Sequence, residues 1–275
     1  MDTTSLERLS LAGKVAIVTG STQGLGEAIA HLLADRGAAG LVITGRSAER
    51  GERVRKALAA KGVRTEFVTA DLADTAAAER VVAEADRAFG RVDVLVNSAG
   101  ITDRGSIWDT SPALFDAMFA VNVRAPFFLM QHALKVMRRE KIEGSVINII
   151  SMSGHGGQSF ISAYSASKGA LITLTRNVAY SVMSHRIRVN GLTIGWMDTP
   201  GEDRIMKTYH QAEDGWLAAA EQGRPFGRLL KADEVARAVA FLASGESGMM
   251  TGSIIDFDQQ VRGAADQPAS PPAAD

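Results

Sequence analysis

The sequence predicts an α/β fold, in which a mostly parallel β-sheet carries helices on both faces. Short apolar runs rich in β-branched residues alternate with helix-like segments through most of the 275 residues. Such runs are typical of strands buried on both faces, and their alternation with helices is typical of a parallel sheet. Because no linker interrupts the pattern, we expect one domain at 11–263, preceded by an extension at 1–10. The last stretch, 264–275, is rich in Pro and Ala and is expected to be a disordered tail.

Each element follows from its local pattern. The first strand is the run KVAIVT at 14–19, and a helix follows at 27–36. The other six strands are expected at 41–44, 65–69, 92–96, 145–150, 187–193 and 253–257. The remaining helices are expected at 48–61, 76–89, 112–122, 125–139 and 164–184. The segment 197–227 breaks the alternation, and we expect it to form a lid over the core. Its apolar positions have the spacing of an amphipathic helix: Met206, Tyr209, Trp216 and Leu217.

Composition and charge exclude several classes of protein. The formal net charge is −1 with acids and bases interspersed, whereas nucleic-acid-binding proteins usually carry a basic excess on one face. The chain has no cysteine, so disulfides and thiolate metal sites are impossible, and its scattered histidines offer no zinc spacing. We find no apolar run of the roughly 18 residues that a membrane helix needs, and the start does not resemble a signal peptide. We therefore expect a cytoplasmic protein that binds no metal, nucleic acid or membrane.

A glycine-rich turn, TGSTQGLG at 19–26, follows the first strand. Glycine lets the backbone turn sharply and approach a ligand closely. The next helix directs its free N–H groups and the positive end of its dipole at this turn, where a pyrophosphate is the natural ligand. Because the turn joins the first strand and helix of a βαβ unit, a dinucleotide site is favoured over a plain tight turn.

The end of the second strand predicts which dinucleotide binds. An acidic residue at this position usually binds the ribose 2′-hydroxyl of NAD. Here the chain reads ITGRS at 43–47, with Arg46 and no acid. A guanidinium suits a 2′-phosphate, so NADP(H) is the favoured cofactor and NAD(H) stays possible. The alternative is that Arg46 is an ordinary solvated charge at the start of a helix.

A tyrosine and a lysine predict acid–base chemistry. Tyr164 and Lys168 are four residues apart at the start of a long helix, so they share one helical face. A free tyrosine has a pKa of about 10, and a nearby ammonium should lower that pKa. Tyr164 could then transfer a proton, while Ser151, after a strand, could donate a hydrogen bond to a substrate oxygen. Alone, such a Tyr–Lys pair also occurs often on surface helices.

Together these motifs resemble the short-chain dehydrogenase/reductase family in its single-domain form. The resemblance spans about 11–261 and includes 19–26, Asp71-Leu72, NSAG at 97–100, Asn122, Ser151, Tyr164, Lys168 and GWMDT at 195–199. It implies a Rossmann-type, doubly wound parallel sheet of about seven strands in the order 3-2-1-4-5-6-7. It also implies an NAD(P)-dependent oxidoreductase that interconverts a secondary alcohol and a carbonyl, assembled as a homotetramer or homodimer.

The resemblance assigns roles to matching residues. Tyr164 would be the acid/base and Ser151 would orient the substrate carbonyl. Lys168 would hold the nicotinamide ribose and lower the tyrosine pKa, while Asn122 would hold a water that relays protons. The residues expected to contact the cofactor are Gly20, Ser21, Thr22, Gln23, Gly24, Leu25, Gly26, Arg46, Ser47, Asp71, Leu72, Asn97, Ala99, Gly100, Tyr164, Lys168, Gly195, Met197 and Thr199.

The chain departs from the family pattern in three places. Ser98 replaces a usual asparagine, and we expect little consequence. Ile194 replaces a usual proline, so the loop toward Trp196 is expected to be freer. Gln259 and Gln260 replace two glycines after an aspartate, so the last turn is expected to differ.

The substrate is the part that the sequence defines least. The expected substrate contacts are Ser151, Ser153, His155, Gln158, Tyr164 and Trp196, with Asp103 and Arg104 as further candidates. Their polar groups favour a sugar, a polyol or a hydroxy/keto acid over a steroid-like substrate. Two alternatives stay open: a 3-oxoacyl-[acyl-carrier-protein] reductase, and a non-catalytic nucleotide-binding regulator.

Overall fold

The computed structural model describes residues 9–156 and 158–263. The predicted tail at 264–275 and most of the predicted extension at 1–10 lie outside the described residues. The strands are β1 Val15–Val18, β2 Gly40–Gly45, β3 Arg64–Thr69, β4 Val94–Asn97, β5 Ser145–Ile149, β6 Arg188–Ile194, β7 Met197–Asp198, β8 Leu230–Lys231 and β9 Ile254–Phe257. The helices are α1 Gly24–Asp35, α2 Ala48–Ala59, α3 Ala77–Phe89, α4 Pro112–Phe119, α5 Ala125–Arg139, α6 Ser162–Val182, α7 Pro200–Tyr209, α8 Trp216–Gln222 and α9 Ala232–Ala243.

The main sheet has seven parallel strands in the order β3-β2-β1-β4-β5-β6-β9. Strands β7 and β8 form a separate small sheet, so β9 corresponds to the seventh predicted strand. The seven predicted strands and their order, 3-2-1-4-5-6-7, are therefore confirmed. All four residues of β1 are buried, since successive side chains enter cores on opposite sides of the sheet. Val18 packs with α1 and α9 on one side, and Ile17 packs with α3 and α5 on the other. The doubly wound architecture is therefore confirmed.

The lid differs from the predicted single helix. Met206 and Tyr209 lie on α7, whereas Trp216 and Leu217 begin α8. Gly215, at φ +92°, separates the two helices in a conformation that residues with a Cβ rarely adopt. The short strands β7 and β8, which pair Met197 with Leu230, connect the two ends of the segment. The two-residue strands were not predicted, because such short elements leave no periodic pattern. Helix α9 was also missed, although it has 12 residues and its buried positions recur at helical spacing.

The helical stretch Pro112–Arg139 corrects the expectation about apolar length. It contains an 18-residue window of mean hydropathy 1.4, so by length and composition alone it could cross a membrane. It comprises α4, a π-helical turn at Ala120–Arg124, and α5. Leu129, Met130 and Met137 of this stretch are completely or almost completely buried in the core beside α3. Packing in the core therefore accounts for the buried part of this window, which is 44% of it.

Candidate active site

A cavity of about 1120 Å³ lies at the carboxyl ends of the strands, and we call it the main cavity. Its walls come from the glycine turn after β1, the ends of β2, β4, β5 and β6, the lid, and the segment after β9. Strand β1 pairs with β2 on one side and β4 on the other, so the chain leaves in opposite directions from neighbouring strand ends. Crevices at such a switch point are where open α/β sheets bind ligands.

The glycine turn forms a narrow cradle at one end of the main cavity. A Cβ at Gly20 would lie 2.8 Å from Ala99 Cα, and Gly20 has a φ of +66°. Helix α1 begins at Gly24 with no side-chain hydrogen bond to its first N–H groups. The turn is held by Thr19 Oγ1, which accepts hydrogen bonds from the amides of Ser98 (3.0 Å) and Ala99 (3.1 Å). A close backbone approach and free amides at a helix N-terminus are what a dinucleotide pyrophosphate requires.

The end of β2 forms a basic corner of the main cavity. Arg46 and Arg50 both line it and are exposed, and neither makes an ion pair within the described part of the chain. The buried Oγ1 of Thr44, which also lines the cavity, has no hydrogen-bond partner among the described residues. These groups fit a phosphorylated ribose. Sequence reasoning missed Arg50, which lies in the first turn of the helix that follows Arg46.

Most predicted cofactor contacts line the main cavity, but Ser21, Ser47 and Asn97 do not. Ser21 Oγ donates to the Val18 carbonyl at 2.7 Å and accepts from the Thr44 amide at 3.1 Å. Ser47 caps α2, and Asn97 Nδ2 donates to Asn148 Oδ1 at 2.8 Å. These three side chains therefore stabilise the walls rather than face the cavity. The predicted residues that do line it are Gly20, Thr22, Gln23, Gly24, Leu25, Gly26, Arg46, Asp71, Leu72, Ala99, Gly100, Tyr164, Lys168, Gly195, Met197 and Thr199.

Tyr164, Lys168 and Ser151 meet at the centre of the main cavity. Helix α6 presents Tyr164 and Lys168 on one face, and Lys168 Nζ lies 5.8 Å from the centre of the Tyr164 ring. The same Nζ donates a 2.9 Å hydrogen bond to the carbonyl of Ile149, at the end of β5. Ser151 follows two residues later and is buried. The end of β5 and the first two turns of α6 thus bring the three groups together.

Asn122 is completely buried behind this centre and does not line the main cavity. It lies in the π-helical turn, where its Oδ1 accepts from the Ile101 amide and its Nδ2 donates to the Ile101 carbonyl, both at 3.0 Å. Nδ2 also donates to Ser167 Oγ on α6 at 3.1 Å. A Cβ at Gly100 would lie 3.3 Å from Asn122 Oδ1 and 3.6 Å from Lys168 Nζ. Asn122 therefore ties the loop after β4 to α6 beside the lysine.

Burial sets the protonation states of the central pair. Burial raises the pKa of the Tyr164 phenol above its ordinary 10.0, while the Ser151 hydroxyl acts in the opposite direction. Among more distant charges, Glu202 raises this pKa and Arg104 lowers it. Burial also lowers the pKa of Lys168 from 10.5 to about 8. The sequence predicted a lowered pKa for Tyr164, but in the folded chain burial raises this pKa, and Lys168 is not among the groups that shift it.

All six predicted substrate contacts line the main cavity, and so does Arg104. His155 Nε2 lies 3.2 Å from Asp256 Oδ1, and Arg262 Nη1 lies 3.1 Å from His155 Nδ1. Asp103 does not line the cavity, because its carboxylate accepts the Tyr209 hydroxyl at 2.8 Å. Lining residues that sequence reasoning missed include Glu202, His210 and Arg224, which come from the lid and had no motif to mark them.

The comparisons with known proteins fit this geometry. The family model described as Enoyl-(Acyl carrier protein) reductase matches residues 20–259. The chain belongs to the short-chain dehydrogenase/reductase family. As a member of it, the chain is an oxidoreductase of the class that acts on CH–OH groups with a nicotinamide cofactor.

Two curated relatives and one solved structure are similar over nearly their whole lengths. The cis-4-hydroxycyclohexanecarboxylate dehydrogenase of Sinomonas cyclohexanicum is 35% identical, covering 90% of this chain and 96% of that protein. The galactitol 2-dehydrogenase of Agrobacterium fabrum is 30% identical, covering 91% of this chain and 98% of that protein. A 3-oxoacyl (acyl-carrier-protein) reductase of Agrobacterium tumefaciens, solved with NADP bound, superposes with a TM-score of 0.84 at 28% identity, covering 93% and 97%.

Two departures from the family pattern have structural consequences. The loop around Trp196 was expected to be freer without a proline, but hydrogen bonds hold it. Gly195 donates to the Phe257 carbonyl at 3.0 Å, and the Trp196 carbonyl accepts from the Leu230 amide at 3.1 Å. Gln259 bridges the last turn to the lid: its Oε1 accepts from the Phe226 amide at 2.9 Å, and its Nε2 donates to the Arg228 carbonyl at 2.8 Å. The glutamine therefore supplies a cross-link that a glycine could not.

Proposed function

We propose that this short-chain dehydrogenase/reductase interconverts a small polar secondary alcohol and its carbonyl compound with NADP(H), using Tyr164 as the acid/base. The observation that carries the proposal is the position of Tyr164, Lys168 and Ser151 in one cavity with the glycine cradle. A reaction that moves a hydride and a proton needs both features side by side. The non-catalytic alternative is disfavoured, because this chain keeps the tyrosine and the lysine.

Tyr164, Ser151 and Lys168 have different roles in the proposed reaction. The nicotinamide of the bound cofactor supplies or accepts the hydride. Tyr164 gives a proton to the substrate oxygen during reduction, and its raised pKa keeps that proton in place until it is needed. Ser151 donates a hydrogen bond to the same oxygen and so holds the carbonyl in line with the phenol. Lys168 holds the nicotinamide ribose, and its positive charge favours the phenolate when the reaction runs toward the carbonyl.

The basic corner supports NADP(H) as the favoured cofactor. We expect Arg46→Ala to weaken NADPH binding about 10- to 100-fold and to leave NADH binding nearly unchanged, because a charge-assisted hydrogen bond to the 2′-phosphate is lost. Arg50→Ala should act in the same direction. Fluorescence titration with each nucleotide measures both affinities. Arg55→Ala is the matched control, since Arg55 on the same helix pairs with Glu52 outside the main cavity. An equal loss for NADPH and NADH would refute the 2′-phosphate role.

The polar lining supports a sugar, a polyol or a hydroxy/keto acid as substrate. The similarity to enzymes named for cis-4-hydroxycyclohexanecarboxylate and galactitol supports the same classes. A screen of carbonyl compounds with NADPH and of polyols and hydroxy acids with NADP⁺, followed by nicotinamide absorbance, tests the proposal. Turnover of a member of these classes is expected. Absence of turnover together with absence of binding of either nucleotide would contradict the enzyme assignment.

A second candidate function is reduction of a 3-oxoacyl thioester. It is favoured by the similarity to the structure named as a 3-oxoacyl (acyl-carrier-protein) reductase. The same screen decides between the two, when an acetoacetyl thioester of N-acetylcysteamine is included beside the small polar ketones. A clear preference for the thioester would replace the first candidate by the second.

We also propose a cytoplasmic homotetramer or homodimer, built from one domain at 11–263 with the lid at 197–227. Apolar side chains on the long helices support the assembly: Phe127 on α5 is 43% exposed and Tyr180 on α6 is 81% exposed. Large exposed apolar side chains on neighbouring helices are typical of subunit contacts. The molar mass in solution, measured by light scattering, tests this part, and a monomer would contradict it.

A further inference from the structure

Arg224 stands out among the cations of the main cavity. It lies on the lid just after α8, between the last turn of that helix and β8. Its backbone is fixed by a turn: its amide donates to the Glu221 carbonyl at 3.0 Å, and its carbonyl accepts from the Gly227 amide at 2.9 Å. The base of the side chain is therefore held in place at the wall of the cavity.

The guanidinium of Arg224 has no acceptor among the described residues. Its Nε is buried without a hydrogen-bond partner, and no carboxylate oxygen of the described chain lies within 4.0 Å of the group. Neighbouring arginines differ, since Arg104 pairs with Glu202 at 3.4 Å and Arg228 pairs with Glu234 at 2.6 Å. A buried donor without a protein partner is destabilising unless a water or a ligand satisfies it.

An aromatic side chain orients this guanidinium. The Arg224 Cζ lies 4.8 Å from the centre of the Trp196 ring, in a cation–π contact. Trp196 is itself fixed, because its Nε1 donates to Glu202 at 2.8 Å and its ring stacks on Trp216 at 5.9 Å. A planar group held this way keeps the fork of donors that matches a carboxylate.

Asp258 is a carboxylate that is influenced by Arg224 but does not pair with it. Asp258 lies close enough for Arg224 to lower its pKa, yet burial is the larger influence and raises that pKa. The two residues make no ion pair, and both line the main cavity. The positive charge of Arg224 is therefore available to bind an anionic group of a molecule that enters the cavity.

We propose that Arg224 binds the carboxylate of the substrate, so that the physiological substrate is a hydroxy acid or the corresponding oxo acid. Its carbon skeleton would lie against Trp196, between the carboxylate at Arg224 and the reacting carbon at Tyr164 and Ser151. A two-point charge-assisted contact fixes both the position and the orientation of such a molecule. This inference rests on the proposed carbonyl–alcohol reaction and narrows its substrate class.

Matched substrates and variants test the proposal. Acetoacetate and levulinate are each compared with their own neutral primary amide as substrates for NADPH-dependent reduction. The wild-type enzyme should prefer each acid, and Arg224→Gln should reduce that preference in kcat/KM about 10- to 100-fold, mainly through KM. Arg224→Lys keeps the charge without the planar fork and should lose less. Arg204→Gln is the control, because Arg204 is an exposed arginine of the same lid that does not line the main cavity.

The outcomes separate this inference from the reaction that it rests on. NADPH binding, followed by fluorescence, should be unchanged in all three variants, which shows that the fold and the cofactor site are intact. If neutral ketones are reduced but the acids are not preferred, or if the preference survives in Arg224→Gln, the carboxylate contact is overturned and the reaction stands. If no carbonyl compound is reduced although NADPH binds, the proposed reaction itself is contradicted.

Discussion

Burial rather than ion pairing determines the chemistry of the central residues. The ammonium of Lys168 is only 5% exposed and has a backbone carbonyl as its partner, so its charged form is destabilised in the folded chain. Desolvation also raises the pKa of Tyr164 above its ordinary 10.0, so the phenol is protonated at neutral pH. A protonated phenol is the form that carbonyl reduction needs. Tyr164 in the folded chain therefore carries the proton that reduction delivers to the substrate oxygen.

The buried lysine predicts a stability effect with a defined pH window. Its pKa is about 8 in the folded chain against an ordinary 10.5, so burying its charge opposes folding below pH 8. From about 8 to 10.5 the folded state loses its proton first, and the wild type gains stability with rising pH. Lys168→Met should thus be about 1–3 kcal/mol more stable than wild type near pH 7, with this advantage shrinking toward pH 10.

Urea unfolding of the cofactor-free protein measures this difference. The variant should lose turnover while it gains stability, because the ammonium serves the reaction and not the fold. Lys61→Met is the matched control, since Lys61 forms an exposed pair with Asp35. A variant that is less stable than wild type near pH 7, or whose difference does not change with pH, would contradict the argument.

Some residue-level features could not be read from the sequence. The Tyr–Lys spacing placed two groups on one helical face, but spacing carries no information on solvation, so the direction of the tyrosine pKa was wrong. The glycine turn marked the phosphate cradle correctly, yet Ser21 and Asn97 turned inward to hydrogen-bond neighbouring strands. Arg224 is visible only in three dimensions, because its significance lies in the acceptor that it lacks.

The proposed lid, 197–227, contributes residues to the wall of the main cavity, so its attachment to the rest of the fold affects substrate binding. Its start and end are joined by the two residue pairs of β7 and β8, and its end is also held by Gln259. Helices α7 and α8 are short and bury few of their side chains, with only Ile205 fully buried between them. Elements with little buried apolar surface open at low free energy, so we expect these attachments to restrain the proposed lid.

Loss of the Gln259 bridge should loosen the lid. In Gln259→Ala, hydrogen exchange of the Phe226 amide should accelerate, because this amide donates directly to the missing side chain. The KM for the carbonyl substrate should rise a few-fold, while NADPH binding stays the same. Gln222→Ala is the control, since that side chain on α8 makes no hydrogen bond to the described residues. Unchanged exchange at Phe226 would show that the bridge does not restrain the lid.

Over the whole molecule, the sheet creates the site by its topology. Strands β1 and β4 are neighbours although they are far apart in the chain, so their loops diverge and leave the crevice that the main cavity occupies. The strands were predictable because burial on both faces demands uninterrupted apolar runs, as in β1. The segment 197–227 was predicted, but its division into two helices was not, because these helices are short, separated by Gly215 and only partly buried. The reaction class follows from the sheet and the motifs at its strand ends, which the sequence predicts. The choice of substrate depends on the segment 197–227, whose structure the sequence predicts poorly.

Proton transfer by Tyr164 is the central claim, and Tyr164→Phe tests it most directly. This change removes only the hydroxyl and keeps the ring that packs at the start of α6. Single-turnover reduction of a carbonyl substrate by enzyme saturated with NADPH should slow by about 10²- to 10⁴-fold, with NADPH affinity within a few-fold of wild type. A variant that binds NADPH normally and reduces the substrate at the wild-type rate would contradict the account.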